Sequence, residues 1–497
     1  MIPDIVPQPK RFLNGGQTPV SKQLLNGGQT RVYPAEIRLV PPCTRDAAAA
    51  VRAFAGYALK LGIKVKTVRR NAAISIVINK NGRVRREGYR IDIGKRRVVI
   101  AAADSTGLNR ALATLLQLAG PAEGGKGIVL PECRIRDWAD SEYRGMMVDL
   151  ARYWHPFKYV LSYVDMCWYY KVSVLHLHFT DDQSYTLPSR LYPKLSTPGR
   201  SYTFEELAEL EQYACDRGVQ IMPEIDVPGH NTSFTLAYPE LFGKNGIICQ
   251  HKDSVDAVAA LFGELCETFP RSKRIHIGGD EANLKKWLEC PRCMDYARTI
   301  GIDTEGETPD TVCDKLYVNF IVRMADAVRT RGRTPIVWEG FPKAANRSVP
   351  KYIVVMSWEN FYQVTPDLLA GGFRIINCSW NPMYIVAPDV KWTPEEVCDW
   401  SIYKWRPVHP GSPYIGKMFE CGPDKAVLGG QLLAWGDRVP TVYADNTEEG
   451  ARVERALLAE RLPYLAQNTW NTIARVEYNK LAGSVEMRAA QLDRIIN

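Results

Sequence analysis

The stretch RIHIGGDEAN, residues 274–283, runs from alternating apolar residues through two glycines into two adjacent carboxylates. Ile275 and Ile277 alternate with polar neighbours as in a β-strand, and the Gly-Gly pair then precedes Asp280 and Glu281. Two neighbouring acids repel each other, and burying either of them is costly unless its carboxylate is paired. The arrangement therefore needs a specific reason, and catalysis by carboxyl groups is one.

Seven similar stretches accompany this one along the chain. Short apolar strands alternate with segments of helical length, and each strand ends in a polar or aromatic residue. The predicted strands are 143–152, 172–182, 219–230, 274–281, 334–341, 352–360, 373–381 and 426–437. Predicted helices follow the first four strands at 156–171, 203–218, 254–269 and 313–332. Repeated β-then-α units predict a parallel sheet, and eight of them over about 300 residues predict a (β/α)8 TIM barrel.

The N-terminal part has a different pattern. Residues 89–103 predict two strands joined by a tight turn. Residues 105–120 predict a helix, with Ser105 or Thr106 as its N-cap and Gly120 as its stop. This part is therefore predicted to be a small α+β region.

We predict two domains for the 497 residues: a small non-catalytic α+β domain at 1–138, and a barrel catalytic domain with C-terminal helices at 139–497. No apolar run reaches the ~18 residues of a membrane span. The N-terminus, MIPDIVPQPKRF, lacks the apolar segment of a signal peptide. We expect a cytoplasmic protein, or an exported one whose leader has been removed.

The net charge of +8 is unevenly distributed. Residues 60–97 hold thirteen Lys and Arg and two acids, an excess of +11, so the rest of the chain sums to −3. No recognition motif or aromatic interleaving accompanies this segment, so we predict no nucleic-acid partner. A solvated basic face is the preferred interpretation, and attraction to anionic glycans or surfaces is the second.

Twelve cysteines are scattered along the chain, and the motif CPRC places Cys290 close to Cys293. A zinc site normally adds a second pair or suitably spaced histidines, which are missing from the sequence nearby. We therefore expect no metal there. Whether the two thiols are free, disulfide-bonded or metal-bound is left open.

The residues at the strand ends converge at one mouth of a TIM barrel, where active sites are built. They are Arg152, Asp181, Asp182, Glu224, Asp226, His230, Asp280, Glu281, Trp338, Trp358, Tyr384, Trp435 and Asp437. Aromatic faces stack on the C–H faces of sugar rings, and carboxylates and Arg bind sugar hydroxyls. Glycoside hydrolysis needs an acid that protonates the leaving oxygen. The set therefore predicts a carbohydrate-hydrolysing site.

Several of these residues also have a structural interpretation. A single Trp is more often a core residue than a sugar-stacking one, although three at three strand ends favour stacking. His176 and His178 share one strand face and are either core histidines or site residues. Arg152 is alternatively an ion-pair partner of a carboxylate. Asp182 and Glu224 alternatively support neighbouring site residues and do not themselves contact the substrate.

A metal-dependent barrel enzyme is a second functional interpretation. Its ligands would be His176, His178, Asp181, Glu224, Asp226 and His230. No helical H-E-x-x-H spacing is present, and the pocket is rich in aromatics. We therefore predict neither a metal nor a cofactor.

Six motifs between residues 143 and 437 resemble the successive signatures of family-20 glycoside hydrolases, the β-N-acetylhexosaminidases. In order they are RGMMVDLARYW, VLHLHFTDDQ, IMPEIDVPGH, HIGGDE, VWEGF and GGQLLAWGD. IVPQPKRF and STGLNRALATLLQL resemble that family's small N-terminal domain. The resemblance implies an exo-acting, retaining enzyme that releases terminal GlcNAc or GalNAc from glycans. The nucleophile would be the substrate's own 2-acetamido oxygen, through an oxazolinium-type intermediate.

The resemblance also implies roles for individual residues. Asp280 would orient and polarise the acetamide N–H, and Glu281 would be the general acid/base. Asp181 and His230 would support the acid, and Arg152 would bind the 3- and 4-hydroxyls. The residues implied to surround the acetamide and the ring are Trp338, Trp358, Trp435 and Tyr384.

Two positions depart from the family pattern. A carboxylate or amide often stands two residues after the tyrosine, where this chain has Val386, and a glutamate usually stands where it has Asp437. Both normally bind the 4- and 6-hydroxyls, so the preference among GlcNAc, GalNAc and O6-substituted sugars stays open. The loop 382–425 offers replacement acids at Asp389, Glu395, Glu396 and Asp399. A non-catalytic glycan-binding relative is the non-enzyme alternative, and the oligomeric state is not predicted.

Overall fold

A computed structural model of the chain describes residues 4–14, 30–33, 36–40, 44–68, 74–78, 85–121, 127–244, 246–444 and 446–497. In this part of the chain, a small α+β region precedes a closed barrel of eight parallel strands. The predicted fold class is confirmed.

The N-terminal region contains short strands and two helices that pack on them. The strands are β1 (Arg11–Asn14), β2 (Thr30–Tyr33), β3 (Glu36–Val40), β4 (Lys64–Thr67), β5 (Ile74–Ile78), β6 (Tyr89–Ile93), β7 (Val98–Ala102), β8 (Gly120–Pro121), β9 (Ile128–Pro131) and β10 (Cys133–Asp137). The helices are α1 (Arg45–Lys60) and α2 (Ser105–Leu118). Seven strands form one mixed sheet in the order β1-β10-β6-β7-β5-β3-β4, and β2-β9-β8 form another.

The N-cap of α2 differs from the prediction. The cap is Asp104, whose carboxylate accepts a hydrogen bond from the backbone N–H of Gly107 at 2.6 Å. Ser105 and Thr106 lie in the first helical turn instead. A carboxylate at this position satisfies an unpaired N–H and also interacts favourably with the helix dipole, which explains the difference. The predicted stop, Gly120, begins β8 after the helix ends at Leu118.

The barrel strands are numbered on from this region. They are β11 (Tyr143–Asp149), β12 (Val174–His178), β13 (Gln220–Glu224), β14 (Arg274–His276), β15 (Thr334–Trp338), β16 (Val354–Ser357), β17 (Arg374–Asn377) and β21 (Val427–Trp435). Each pairs in parallel with the next, and β21 closes the barrel against β11. All eight predicted strands are present. Each ends earlier than predicted, because the polar residues that follow it form loops at the barrel mouth.

Helices follow the first four barrel strands, as predicted. They are α3 (Phe157–Tyr169), α4 (Phe204–Asp216), α7 (Lys252–Thr268) and α9 (Pro309–Arg329). The shorter elements are α5 (Thr232–Ala237), α6 (Pro239–Phe242), α8 (Pro291–Thr299), α10 (Thr365–Ala370), α11 (Trp380–Met383), α12 (Pro394–Asp399), β19 (Lys404–Trp405), β20 (Phe419–Glu420) and α13 (Val439–Tyr443). The chain ends in α14 (Thr447–Trp470) and α15 (Tyr478–Ile496). None of the helices described is both long and apolar enough to cross a bilayer.

The seventh barrel position is built from two segments. β17 pairs with the first half of β21, and after the short α11 the strand β18 (Tyr384–Val386) pairs with the second half. In this register Val386 lies beside Trp435. The predicted strand 373–381 therefore ends at Asn377, and the added segment brings Tyr384 to the barrel mouth.

Buried ion pairs link the N-terminal region to the barrel. Glu87 lies 2.5 Å from the guanidinium of Arg144 in β11 and 3.5 Å from that of Arg110 in α2. Burial alone would raise the pKa of Glu87, but Arg144 and Arg110 lower it to about 2. Nearby, the buried Lys171 donates to the hydroxyl of Tyr89 at 2.8 Å and to Asp137 at 3.1 Å. Buried charges persist only when they are paired in this way.

Candidate active site

Two glycines place the paired acids at the barrel mouth. The φ angles of Gly278 and Gly279 are 69° and 113°, in the region that favours glycine. A Cβ on Gly278 would lie 1.9 Å from Oδ1 of Asp226, and the N–H of Gly279 donates to the same oxygen at 3.1 Å. The chain therefore turns sharply against a neighbouring strand end. Immediately after this turn it presents Asp280 and Glu281.

The two adjacent acids lie in different environments. Asp280 is 6% exposed, whereas the side chain of Glu281 is 53% exposed. Burial raises the pKa of Asp280, and the charge of Glu281 adds to this effect against the opposing charge of His230. A hydrogen bond to His230 lowers the pKa of Glu281. Neighbouring carboxyl groups whose pKa values are shifted in opposite directions are typical of sites in which each has its own role.

Oδ1 of Asp280 is buried, and none of the described residues hydrogen-bonds to it. Asp280 also lines the cavity at the barrel mouth. A buried carboxylate oxygen is costly to leave unpaired. Asp280 therefore has hydrogen-bonding capacity at the cavity that the described residues leave unused.

A row of alternating carboxylates and imidazoles leads from the barrel interior to Glu281. His178 lies 2.5 Å from Glu224 through Nδ1 and 2.9 Å from Asp181 through Nε2. His230 then lies 3.4 Å from Asp181 through Nδ1 and 3.3 Å from Glu281 through Nε2. Burial lowers the pKa of His230, but Asp181 and Glu281 outweigh it and raise that pKa above its usual range. Of the predicted supporting pair, His230 contacts Glu281 directly, and Asp181 contacts His230.

Glu224 is fully buried, and both of its oxygens contact nitrogen atoms. Oε1 accepts from the indole of Trp338 at 2.7 Å and lies 2.7 Å from Nδ1 of His276. Oε2 contacts His178 and lies 3.1 Å from Nε2 of His176. These contacts use the lone pairs that a metal ion would need. The alternative metal ligands thus bind one another, and the geometry does not favour a metal site.

Three carboxylates hold Arg152 at the pocket. Its guanidinium lies 3.0 Å from Asp149, 2.9 Å from Asp181 and 3.4 Å from Asp437. Its Cζ also lies 5.0 Å from the ring centroid of Trp435. Arg152 is therefore both an ion-pair partner and a lining residue of the cavity. Asp149, which ends β11 three residues before Arg152, was not among the predicted site residues.

The cavity at the barrel mouth measures about 340 Å³, within the roughly 300–1,000 Å³ of small-molecule sites. The predicted residues that line it are Arg152, Asp280, Glu281, Trp358, Tyr384, Trp435 and Asp437. Val386, the position that departs from the family pattern, lines it too. Asp389, one of the replacement acids offered by the loop 382–425, also lines it, whereas Glu395, Glu396 and Asp399 do not. Further lining residues outside the predicted set are Glu359, Trp380, Lys391, Trp392 and Arg438. Most of these lie in loops beyond the strand ends.

The aromatic residues form a continuous surface on one side of the cavity. The rings of Trp358 and Tyr384 are stacked, with centroids 6.1 Å apart and an angle of 10° between their planes. Trp435 follows at 5.8 Å from Tyr384. Trp338 lies behind Trp435 at 5.9 Å and is only 1% exposed. The structure therefore places Trp338 beneath the lining, in contact with Glu224, and not on the cavity surface.

Glu359 is the buried acid of the pocket that the sequence reasoning missed. It is 4% exposed and follows Trp358 at the end of the sixth strand. Burial, together with the charge of Glu281, raises its pKa to about 8. The signal for it was the same as for the predicted acids, a carboxylate directly after a barrel strand.

Comparison with known proteins identifies the family of the chain. Residues 141–462 match the catalytic domain of glycosyl hydrolase family 20, and residues 3–138 match domain 2 of that family. The chain belongs to glycosyl hydrolase family 20.

Two curated relatives are beta-hexosaminidases. The protein of Akkermansia muciniphila is 33% identical over 285 residues, which cover 51% of this chain and 55% of that protein. The protein of Porphyromonas gingivalis is 25% identical over 477 residues, which cover 88% of this chain and 57% of that protein. The chain therefore spans little more than half the length of both of these relatives.

A solved structure shares the fold. The exo β-N-acetylglucosaminidase of Vibrio harveyi, in complex with N-acetylglucosamine, superposes with a TM-score of 0.78 at 20% identity. The superposition covers 99% of this chain and 78% of that one. At this identity the likeness supports the family-20 fold alone.

Proposed function

We propose that this family-20 protein is an exo-acting, retaining β-N-acetylhexosaminidase that releases terminal GlcNAc or GalNAc from glycans. The observation that carries the proposal is the pair of adjacent acids in opposite environments beside an aromatic surface. Asp280 is buried with an unpaired oxygen, and Glu281 is half-exposed and in contact with His230. The names of the beta-hexosaminidase relatives support the same substrate class.

In the first step, the carbonyl oxygen of the sugar's own acetamide attacks C1. The bond between C1 and the leaving oxygen breaks, and Glu281 passes to that oxygen the proton that it shares with His230. The product is a cyclic oxazolinium-type intermediate with positive charge near its nitrogen. The carboxylate of Asp280 accepts the acetamide N–H and stabilises this charge, because it lies in a buried, low-dielectric environment.

In the second step, water attacks C1 from the side that the leaving group vacated. Glu281 accepts a proton from this water, and the bond between C1 and the acetamide oxygen breaks. Two inversions at C1 give net retention of configuration. The row of carboxylates and imidazoles from Glu224 to His230 holds the imidazole of His230 beside Glu281. The proton shared by His230 and Glu281 is therefore available at the pocket.

Binding of the sugar is assigned to the remaining lining residues. Arg152, fixed by three carboxylates, donates to the 3- and 4-hydroxyls. Trp358 and Trp435 contact the ring and the acetamide methyl, and the Tyr384 hydroxyl donates to the acetamide oxygen. We further propose that residues 1–138 are a separate non-catalytic domain. This is supported by the cavity lining, which is drawn entirely from residues after 139.

The test is hydrolysis of nitrophenyl N-acetyl-β-glucosaminide, with the released sugar followed by NMR at early times. Retention requires that the β-anomer of GlcNAc appears first. The exposed Glu289→Gln variant is the control, and it should hydrolyse the substrate like the wild type. No release of nitrophenol by the wild type would favour the glycan-binding alternative, and an α-anomer formed first would overturn the mechanism.

A further inference from the structure

Three cysteines converge beside the loop that carries the acids. Sγ of Cys249 lies 3.4 Å from Sγ of Cys293 and 3.7 Å from Sγ of Cys290. Cys249 and Cys293 are buried, and Cys290 is half-buried. Cys249 stands 41 residues before Cys290 in sequence, so only the fold brings it to the CPRC motif.

The arrangement of the three sulfur atoms fits one tetrahedral zinc ion. With Zn–S bonds of about 2.3 Å, tetrahedral geometry places two sulfur ligands about 3.8 Å apart. The three sulfurs all lie within 4.8 Å of one another. Only small movements would bring each sulfur to about 2.3 Å from a common centre.

The backbone around the cluster presents positive partial charge to two of the sulfur atoms. Cys290 is the N-cap of α8, at the positive end of the helix dipole. The backbone N–H of Gln250 donates to Sγ of Cys293 at 3.2 Å. The sulfur atoms are also close to one another, which is unfavourable for three thiolates unless a cation lies between them.

A disulfide accounts for the cluster less well than a metal ion does. One disulfide joins only two sulfurs and leaves the third as a thiol. Among the residues described, no fourth His, Cys, Asp or Glu side chain reaches the cluster. His251, two residues after Cys249, contacts Ser254 through both ring nitrogens instead. A zinc ion would therefore take its fourth ligand from solvent.

We propose that Cys249, Cys290 and Cys293 bind one Zn²⁺ ion, whose fourth ligand is a water molecule. The ion would join the loop before α7 to the loop that follows Asp280 and Glu281. The same two loops already meet where the indole of Trp287 donates to the carbonyl of Ile248 at 2.9 Å. None of the three cysteines lines the catalytic cavity, so the role of the ion would be structural.

The first experiment measures bound metal in the wild-type protein. The protein is purified under reducing conditions without added metal, and zinc per chain is determined by mass spectrometry of the elements. We expect about one zinc per chain. Replacement of zinc by Co²⁺ should give thiolate-to-cobalt charge-transfer absorption in the near ultraviolet and the visible bands of a tetrahedral site. A wild-type protein that neither contains zinc nor takes up Co²⁺ would overturn the proposal.

The second experiment removes single ligands. Cys249→Ser and Cys293→Ser should each lower the bound zinc at least ~10-fold and lower the thermal unfolding temperature. Cys215→Ser, which changes an exposed cysteine outside the cluster, should keep the wild-type zinc content. Mass spectrometry of alkylated peptides tests the competing state, because a disulfide between Cys249 and Cys293 in the freshly purified protein would refute the zinc site. Both outcomes are independent of hydrolase activity, so they stand apart from the proposed function.

Discussion

Nε2 of His230 lies 3.3 Å from Oε2 of Glu281, and both residues have a left-handed backbone, with φ of 47° and 48°. Non-glycine residues seldom adopt this conformation, which costs on the order of 1–3 kcal/mol each. The two residues come from the loops after β13 and β14. The surrounding contacts hold both loops in this strained form, and the result is a fixed contact between the imidazole and the proposed acid.

Glu281→Gln is the first test of that contact. The variant should fold normally, because the side chain is half-exposed, but it lacks the proton donor. We expect kcat/KM to fall by ~10²–10⁴-fold on a GlcNAc disaccharide. The loss should be smaller on a nitrophenyl glycoside, because nitrophenolate leaves without protonation. Equal losses on both substrates, or near-wild-type activity, would contradict the assignment of Glu281 as the acid.

His230→Gln tests how the pair of Glu281 and His230 keeps the proton that Glu281 delivers to the leaving group. In the wild type the pKa of His230 is raised and that of Glu281 is lowered, so near neutral pH the imidazole holds the proton of the pair. Without the imidazole of His230, Glu281 loses its proton near the ordinary carboxyl pKa of ~4.3. The alkaline limb of the kcat/KM profile should therefore move to lower pH by at least about one unit. His409→Gln, outside the cavity lining, should leave the profile unchanged, and an unshifted limb in His230→Gln would exclude the role.

The periodic features of the sequence predict the fold because they are local. Apolar alternation, helix-length segments and polar strand ends each depend on neighbouring residues, and a TIM barrel brings all strand ends to one mouth. The strand boundaries were predicted too long at their carboxyl ends. The polar residues there form loops, whose paths depend on contacts such as that between Gly278 and Asp226.

The missed residues depend on contacts that are distant in sequence. Trp392 enters the cavity from the loop between β18 and α12, whose course no local pattern determines. The cluster at Cys290 needs Cys249, which no spacing rule connects to the CPRC motif. Trp338 was predicted as a lining residue because it ends a strand. Its indole instead turns inward to satisfy the buried carboxylate of Glu224.

Asp280→Asn tests the use of the substrate's acetamide. An amide oxygen still accepts the N–H, but it does not stabilise positive charge, so we expect kcat to fall by ~10²–10³-fold. A thiazoline analogue of the intermediate should inhibit the wild type and bind the variant much more weakly. A glycoside without the 2-acetamido group should be hydrolysed poorly by both. Tight thiazoline binding by the variant would argue against this role.

Brief exposure to EDTA separates this mechanism from the metal alternative. Because the proposed catalysis uses the acetamide, kcat should be unchanged at a temperature where the protein remains folded. The proposed zinc site does not alter this expectation, since its cysteines lie outside the cavity. Complete loss of activity, restored by a divalent ion with no change in thermal unfolding, would support a catalytic metal.

Gly278→Ala tests the turn before the two acids. A methyl group there would lie 1.9 Å from Oδ1 of Asp226, so either the turn or β13 must move. We expect a loss of activity and a free energy of unfolding lower by about 3 kcal/mol or more. Gly301→Ala is a matched control, because its φ of 82° is also left-handed but open space surrounds it. The control should cost about 1 kcal/mol and keep full activity. Equal effects of both substitutions would mean that crowding against Asp226 is unimportant.

The last prediction concerns the rim of the pocket at Val386. Valine cannot accept a hydrogen bond from a sugar hydroxyl, and Asp389, the nearby acid that lines the cavity, is 2.9 Å from Arg438. A hydrogen bond to a charged group contributes ~1.5–3 kcal/mol, and ~1.4 kcal/mol is a factor of ten in kcat/KM. The rim should therefore hold the 4- and 6-hydroxyls loosely. The exposed Lys391 on the lining adds a positive charge that favours a sulfate on O6.

We therefore expect the wild type to accept GalNAc or 6-sulfo-GlcNAc within ~100-fold of GlcNAc, as kcat/KM for the nitrophenyl glycosides. Val386→Asp should raise the selectivity for unmodified GlcNAc about tenfold. Val442→Asp, at an exposed valine of α13, is the matched control and should not alter it. Asp389→Asn tests whether Asp389 already accepts a hydrogen bond from the sugar. If it does, that variant should lose selectivity for GlcNAc. The hypothesis fails if the wild type rejects both sugars by more than ~100-fold and Val386→Asp changes nothing, since the rim would then be selective without an acid at this position.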